Sequence, residues 1–158
     1  MLSSFGCAKI YAFDAYPNYE AAEKLGVTMT DLDTIVKEAD IITLHVPCTP
    51  ETTKMFGKKQ FEEMKDTAVL VNVARGPVVD EKELYNALKE KKIAMAGLDV
   101  YEVEPTSADN PLFTLDNVIV MPHTAAETYE TYESVSMFAA QVIADVAAGK
   151  EPKNWLNK

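Results

Sequence analysis

The chain has 158 residues, 47% hydrophobic and 25% charged, which suits one globular domain able to bury a sizeable core. A net charge of −10 argues against a general nucleic-acid binder and against anionic membrane surfaces, and no apolar run approaches a membrane span. Cys7 and Cys48 form neither a disulfide framework nor a metal-ligand spacing, and Met1-Leu2-Ser3-Ser4 opens no signal peptide, so a reducing cytoplasm is expected.

Lys9-Ile10-Tyr11-Ala12-Phe13 reads as a strand ending at Asp14. Tyr19 to Leu25 reads as a short helix closed by Gly26. Thr30-Asp31-Leu32-Asp33 signals a capped helix running to about Ala39. Asp40 to Val46 is then a continuous apolar strand broken by Pro47, a pattern that predicts burial on both faces of a parallel sheet. Lys58 to Lys65 is helical, and Thr67 to Val73 is a second apolar strand. Asp80-Glu81-Lys82-Glu83 is a capping box opening a helix to Lys91, with Leu84, Ala87 and Leu88 on one face.

Ile93 to Val100 is strand-like, with helix as a rival because of its alanines. Asn117 to Met121 is a last short strand. Thr124-Ala125-Ala126-Glu127 opens a long final helix, in which Val135, Phe138, Ala139, Val142, Ile143 and Val146 repeat at helical spacing before Gly149. Strands alternating with helices predict an α/β fold with a parallel sheet and right-handed crossovers.

Three segments stand where a buried strand gives way to a loop: Val71-Asn72-Val73-Ala74-Arg75-Gly76, Asp99-Val100-Tyr101-Glu102-Val103-Glu104-Pro105, and Met121-Pro122-His123-Thr124. Open α/β sheets gather functional groups at the carboxyl ends of their strands. An arginine, a carboxylate and an imidazole brought together there would suit acid–base work on a carboxylated substrate. Each has a plainer alternative: Arg75 as a paired surface arginine, the glutamates as solvated loop residues, His123 as a helix cap.

Taken with Leu44-His45-Val46-Pro47, Val79-Asp80, Gly97-Leu98-Asp99-Val100-Tyr101 and Pro122-His123, these motifs stand in the order found in a known family. The chain resembles the D-isomer-specific 2-hydroxyacid dehydrogenases, NAD-dependent enzymes with D-lactate, D-phosphoglycerate and hydroxypyruvate members. The resemblance implies a Rossmann-like doubly wound parallel sheet lacking its first strand and its Gly-x-Gly-x-x-Gly loop, followed by a long C-terminal helix. Only Gly6 precedes Asp14. Residues 1–125 would form a partial NAD-binding domain, and residues 126–158 a helix and tail crossing toward an absent substrate domain. The chain is therefore expected to be the C-terminal part of a longer enzyme, with little or no activity alone.

The resemblance assigns Arg75 to clamp the carboxylate of a 2-keto acid and His123 to donate a proton to its carbonyl. Glu104 would orient the imidazole and stabilise its protonated form; Glu102 is the rival, and the position just before Pro105 selects Glu104. For the cofactor, Asp14 would hold the adenosine ribose hydroxyls and favour NAD over its 2′-phosphorylated form, unless it is simply a turn aspartate. Val46 and Pro47 would line the adenosine side and Thr52 would make a polar contact nearby. Val73 and Ala74 would offer backbone atoms to the nicotinamide half, with Asp99 accepting from the carboxamide. His45 reads as a non-catalytic histidine.

The function so implied is reduction of a small-molecule 2-keto acid to the D-2-hydroxy acid. Thr124-Ala125-Ala126 and Asp99-Val100-Tyr101-Glu102 lean toward the D-lactate-like branch. A homodimer is implied, with no metal, nucleic acid or membrane. The competing class is a non-catalytic NAD-binding module of the corepressor kind.

Overall fold

The computed structural model describes residues 2–152, 154 and 155; Lys153 and residues 156–158 of the expected tail lie outside the described residues. The chain divides into two units, Met1–His123 and Thr124–Lys158.

In the first unit six parallel strands alternate with helices: β1 (Tyr11–Ala12), α1 (Tyr19–Leu25), β2 (Thr28–Met29), α2 (Leu32–Glu38), β3 (Ile41–Leu44), α3 (Lys58–Glu63), β4 (Val69–Asn72), α4 (Glu81–Lys89), β5 (Met95–Leu98) and β6 (Val118–Val120). β1 pairs with β2, and β3-β4-β5-β6 form a second sheet in that order. Both sheets are wholly parallel, as in a doubly wound fold, and among the described residues no strand joins one to the other.

The helix limits follow from their caps. Asn18, Asp31 and Asp80 each accept a hydrogen bond from the backbone N–H three residues on, opening α1, α2 and α4. Gly26, with φ 67°, closes α1 in the left-handed conformation that glycine adopts without a Cβ clash. The core lies between β4 and β5 and the helices beside them. Phe56, Phe61, Leu70, Leu84, Leu88 and Ile93 are all fully buried there, and α3 packs on α4.

Two expectations need correction. β3 is not buried on both faces: Ile42 and Leu44 point into the core, whereas Ile41 is 68% exposed and Thr43 faces solvent. Alternate residues of β3 point to opposite faces of the sheet, and only the Ile42 and Leu44 face packs against the core cluster. The two-residue β2 is too short to carry a hydrophobic period in the sequence. The final helix, α5 (Tyr129–Ala147), begins four residues later than expected; Thr128, not Thr124, is its cap and accepts from the Thr131 N–H. Within its own unit α5 buries none of its residues, and Val135, Phe138, Ile143 and Val146 are exposed.

Candidate active site

Register sets the site. Leu44 pairs with Asn72, Asn72 with Leu98 and Leu98 with Val120. Four strands thus end in one row, and the segments that follow emerge side by side: His45-Val46-Pro47, Val73-Ala74-Arg75, the Asp99–Pro105 turn and Met121-Pro122-His123. A cavity of about 550 Å³ lies at the first two, lined by His45, Val46, Pro47, Cys48, Val73, Ala74 and Arg75.

Asn72 shapes the turn that presents Arg75. It is 1% exposed, its Oδ1 accepts from the Ala74 N–H at 3.1 Å, and its Nδ2 donates to the Arg75 carbonyl at 3.1 Å. Sequence reasoning passed over this residue, although an amide inside an otherwise apolar strand was the visible signal. Arg75 itself is exposed, and its guanidinium Nη1 donates to the Ala74 carbonyl at 2.6 Å. Gly76 follows, packed directly on the Tyr101 peptide, where a Cβ would lie 1.7 Å from the Tyr101 carbonyl oxygen.

The glutamate and the histidine meet. His123 Nδ1 lies 2.8 Å from Glu104 Oε2, and Glu104 Oε1 accepts from the Tyr101 N–H at 2.9 Å. Partial burial pushes the Glu104 carboxyl up. The Tyr101 N–H, the bond and charge of His123 and the charge of Arg75 together outweigh that and hold it below its ordinary value. Arg75, Glu104 and His123 therefore share one electrostatic neighbourhood. His123 has φ 61°, a left-handed backbone that a side-chain-bearing residue keeps only where its surroundings hold it.

The rival glutamate is otherwise engaged. Glu102 Oε1 faces Lys54 Nζ at 3.5 Å, and the Glu102 N–H donates to Glu81 Oε2 at 2.7 Å. Glu81 also accepts from Asn110 Nδ2 at 2.6 Å, which ties the turn to the segment after it.

The cofactor-facing candidates other than Thr52 follow the carboxyl ends of β1, β3, β4 and β5. Val46, Pro47, Val73 and Ala74 line the cavity. Asp99, 3% exposed, follows β5, the strand beside β4. Thr52 braces the loop beneath Pro47: its hydroxyl donates to the Pro47 carbonyl at 2.6 Å and accepts from the Thr49 N–H at 2.8 Å. Asp14 stands two residues beyond β1 and accepts from the Tyr16 N–H at 2.8 Å. His45 Nε2 lies 2.9 Å from the Thr43 hydroxyl. Among the described residues no group of three His, Cys, Asp or Glu side chains could hold a metal ion.

Residues 1–125 match the family described as "D-isomer specific 2-hydroxyacid dehydrogenase, NAD binding domain". The chain belongs to this family. It is 49% identical over 148 residues to D-3-phosphoglycerate dehydrogenase of Archaeoglobus fulgidus, covering 94% of this chain and 28% of that protein. It is 42% identical over 154 residues to glyoxylate reductase of Korarchaeum cryptofilum, covering 98% of this chain and 46% of the relative. The structure of D-lactate dehydrogenase with NAD+ from Lactobacillus jensenii superposes with a TM-score of 0.89 at 36% identity, covering 99% of this chain and 50% of that one. The chain thus spans half or less of the length of these relatives. The residues present suit a dinucleotide: a cavity at the carboxyl ends of parallel strands, apolar side chains beside an arginine, and a buried carboxylate just after the neighbouring strand.

Proposed function

We propose that this domain serves an NAD-dependent oxidoreductase that reduces 2-keto acids to D-2-hydroxy acids, with D-lactate-like substrates in the finer reading. The His123–Glu104 pair at 2.8 Å, within electrostatic reach of Arg75 at the row of strand ends, carries the proposal. Asp14 would hold the adenosine ribose. Val46 and Pro47 would flank the adenosine, and Thr52 would support that wall. Val73, Ala74 and Asp99 would face the carboxamide end. NADH, when bound, supplies the hydride.

The chain's own residues do the rest. Arg75 offers a planar fork to the substrate carboxylate, two parallel charge-assisted hydrogen bonds that fix the orientation of the ketone. His123 Nδ1 is engaged by Glu104, which leaves Nε2 to deliver a proton to the carbonyl oxygen. Glu104 holds the ring in that tautomer and stabilises the imidazolium, the same logic as the acid–imidazole pair of a hydrolase.

NADH titrated into this chain joined to the complementary portion of a longer relative, with nicotinamide fluorescence as the readout, should bind saturably, be displaced by NAD, and survive His123→Gln. Absence of saturable binding sinks the reading. Joined to the complementary portion of a longer relative, the domain should oxidise NADH with pyruvate, glyoxylate or hydroxypyruvate, and the order of the three reads the substrate branch. In that assembly His123→Gln should slow turnover by about 10²- to 10⁴-fold, the usual contribution of a general acid. Homodimer formation belongs to the same reading, and light scattering measures it.

A further inference from the structure

We propose that Tyr101 is a positioning residue for the His123–Glu104 pair, acting on the glutamate through its backbone and on the histidine through its hydroxyl. The inference deepens the proposed function and rests on it. Tyr101 is 6% exposed, and its polar groups reach Glu104 and the segment that carries His123. Its N–H donates to Glu104 Oε1 at 2.9 Å. Its hydroxyl donates to the Met121 carbonyl at 2.9 Å, two residues ahead of His123. Its peptide carbonyl is the surface against which Gly76, next to Arg75, is fitted.

Little slack separates the hydroxyl from the imidazole. The Met121 N–H is already held by the Leu98 carbonyl at 2.8 Å. Pro122 follows with a ring-locked φ, and His123 sits at φ 61°. Fixing the Met121 carbonyl therefore fixes the direction from which the His123 ring leaves the backbone. The Tyr101 ring is set by the Phe113 ring, edge-on at 5.7 Å and 89°. Burial raises the phenol above its ordinary value, with Asp99, Glu81 and Glu104 adding to the effect, so the hydroxyl remains a donor through the neutral range.

The test is the tautomer of His123, read from the ring-nitrogen chemical shifts of protein labelled with ¹⁵N-histidine at alkaline pH. His45 is the only other histidine and an internal reference, assigned with His45→Gln. In the parent, the Nδ1–H form should dominate because Nδ1 donates to Glu104. Tyr101→Phe keeps the ring and the N–H and deletes only the hydroxyl. It should shift the tautomer ratio toward Nε2–H by about three- to tenfold, as expected for losing one hydrogen bond of ordinary strength. Ile93→Val, a core truncation ahead of β5, should lower Tm without moving the ratio.

An unchanged ratio in folded Tyr101→Phe overturns the inference and leaves the proposed function standing. A parent with no Nδ1–H preference overturns both. A Tyr101→Phe that no longer folds also overturns the inference, because it assigns the hydroxyl to stability and not to positioning.

Discussion

Gly76→Ala probes how closely the turns of the site are fitted. An ideal Cβ on Gly76 would lie 1.7 Å from the Tyr101 carbonyl oxygen, 1.9 Å from its carbon and 2.5 Å from the Glu102 nitrogen. All three are main-chain atoms, so no rotamer change relieves the overlap. Ordinary contact starts at 3.4 Å, and the two backbones must part by about 1.7 Å (3.4 − 1.7). A retreat of that size takes the 2.9 Å bond from the Tyr101 N–H to Glu104 out of hydrogen-bonding range.

Overpacking costs about 1–3 kcal/mol, and a lost hydrogen bond to a partly exposed carboxylate adds about 1 kcal/mol. A loss of roughly 2–4 kcal/mol lowers Tm by about 5–15 °C in a chain of this size. Circular dichroism melts of parent and variant measure the shift, and guanidinium titration with an unchanged slope confirms that it reports stability. A variant melting within about 2 °C of the parent would refute the close approach, because even modest overpacking exceeds that.

Other outcomes follow from single contacts. Asp80 caps α4 by accepting from the Glu83 N–H at 3.2 Å and pairs with Lys54 at 3.0 Å; Asp80→Ala should cost about 1–2 kcal/mol by urea midpoint, whereas Asp80→Asn, which keeps a cap, should cost less than about 1 kcal/mol. The Lys54 hydrogen bond foremost holds the Asp80 carboxyl below its ordinary value. A depressed folded value means stabilisation present above the unfolded value, near about 4, and lost as pH falls through the folded one. The Tm gap between parent and Asp80→Asn should therefore stay level between about pH 6 and 8 and narrow below about pH 4; a gap that widens in acid would reverse the sign. Leu70 on β4 is fully buried, and Leu70→Ala should cost about 3–5 kcal/mol in denaturant titration, with a loss under about 1 kcal/mol excluding a packed site there.

Local chemistry made the helices legible. Asp31 and Asp80 announce α2 and α4 because a short side chain that accepts from the third N–H onward has few other uses. Thr124-x-x-Glu127 looks like such a signal too, yet the cap forms at Thr128, a competition between two threonines that no pattern decides. The β3 sequence suits burial on both faces, but which face of a strand is covered depends on what packs there and not on the segment. Motif order singled out Arg75, Glu104 and His123 as candidates, and in the structure Glu104 meets His123 whereas the Glu102 carboxylate faces Lys54. Tyr101 stayed hidden because it works through an amide hydrogen and through a carbonyl twenty residues away, neither of which leaves a mark in residue type.

The amide of Asn72 has a consequence for ligand capture. It gives a proton to one peptide and takes one from another, replacing two main-chain bonds that the end of β4 would otherwise lack. An aspartate of the same shape could only take, and a leucine could do neither. The turn before the guanidinium is thus already hydrogen-bonded, and on the proposed reading a carboxylate would spend less binding energy on organising it. On the proposed reading, affinity for a small acid would owe part of its strength to a strand residue that does not itself hold the ligand.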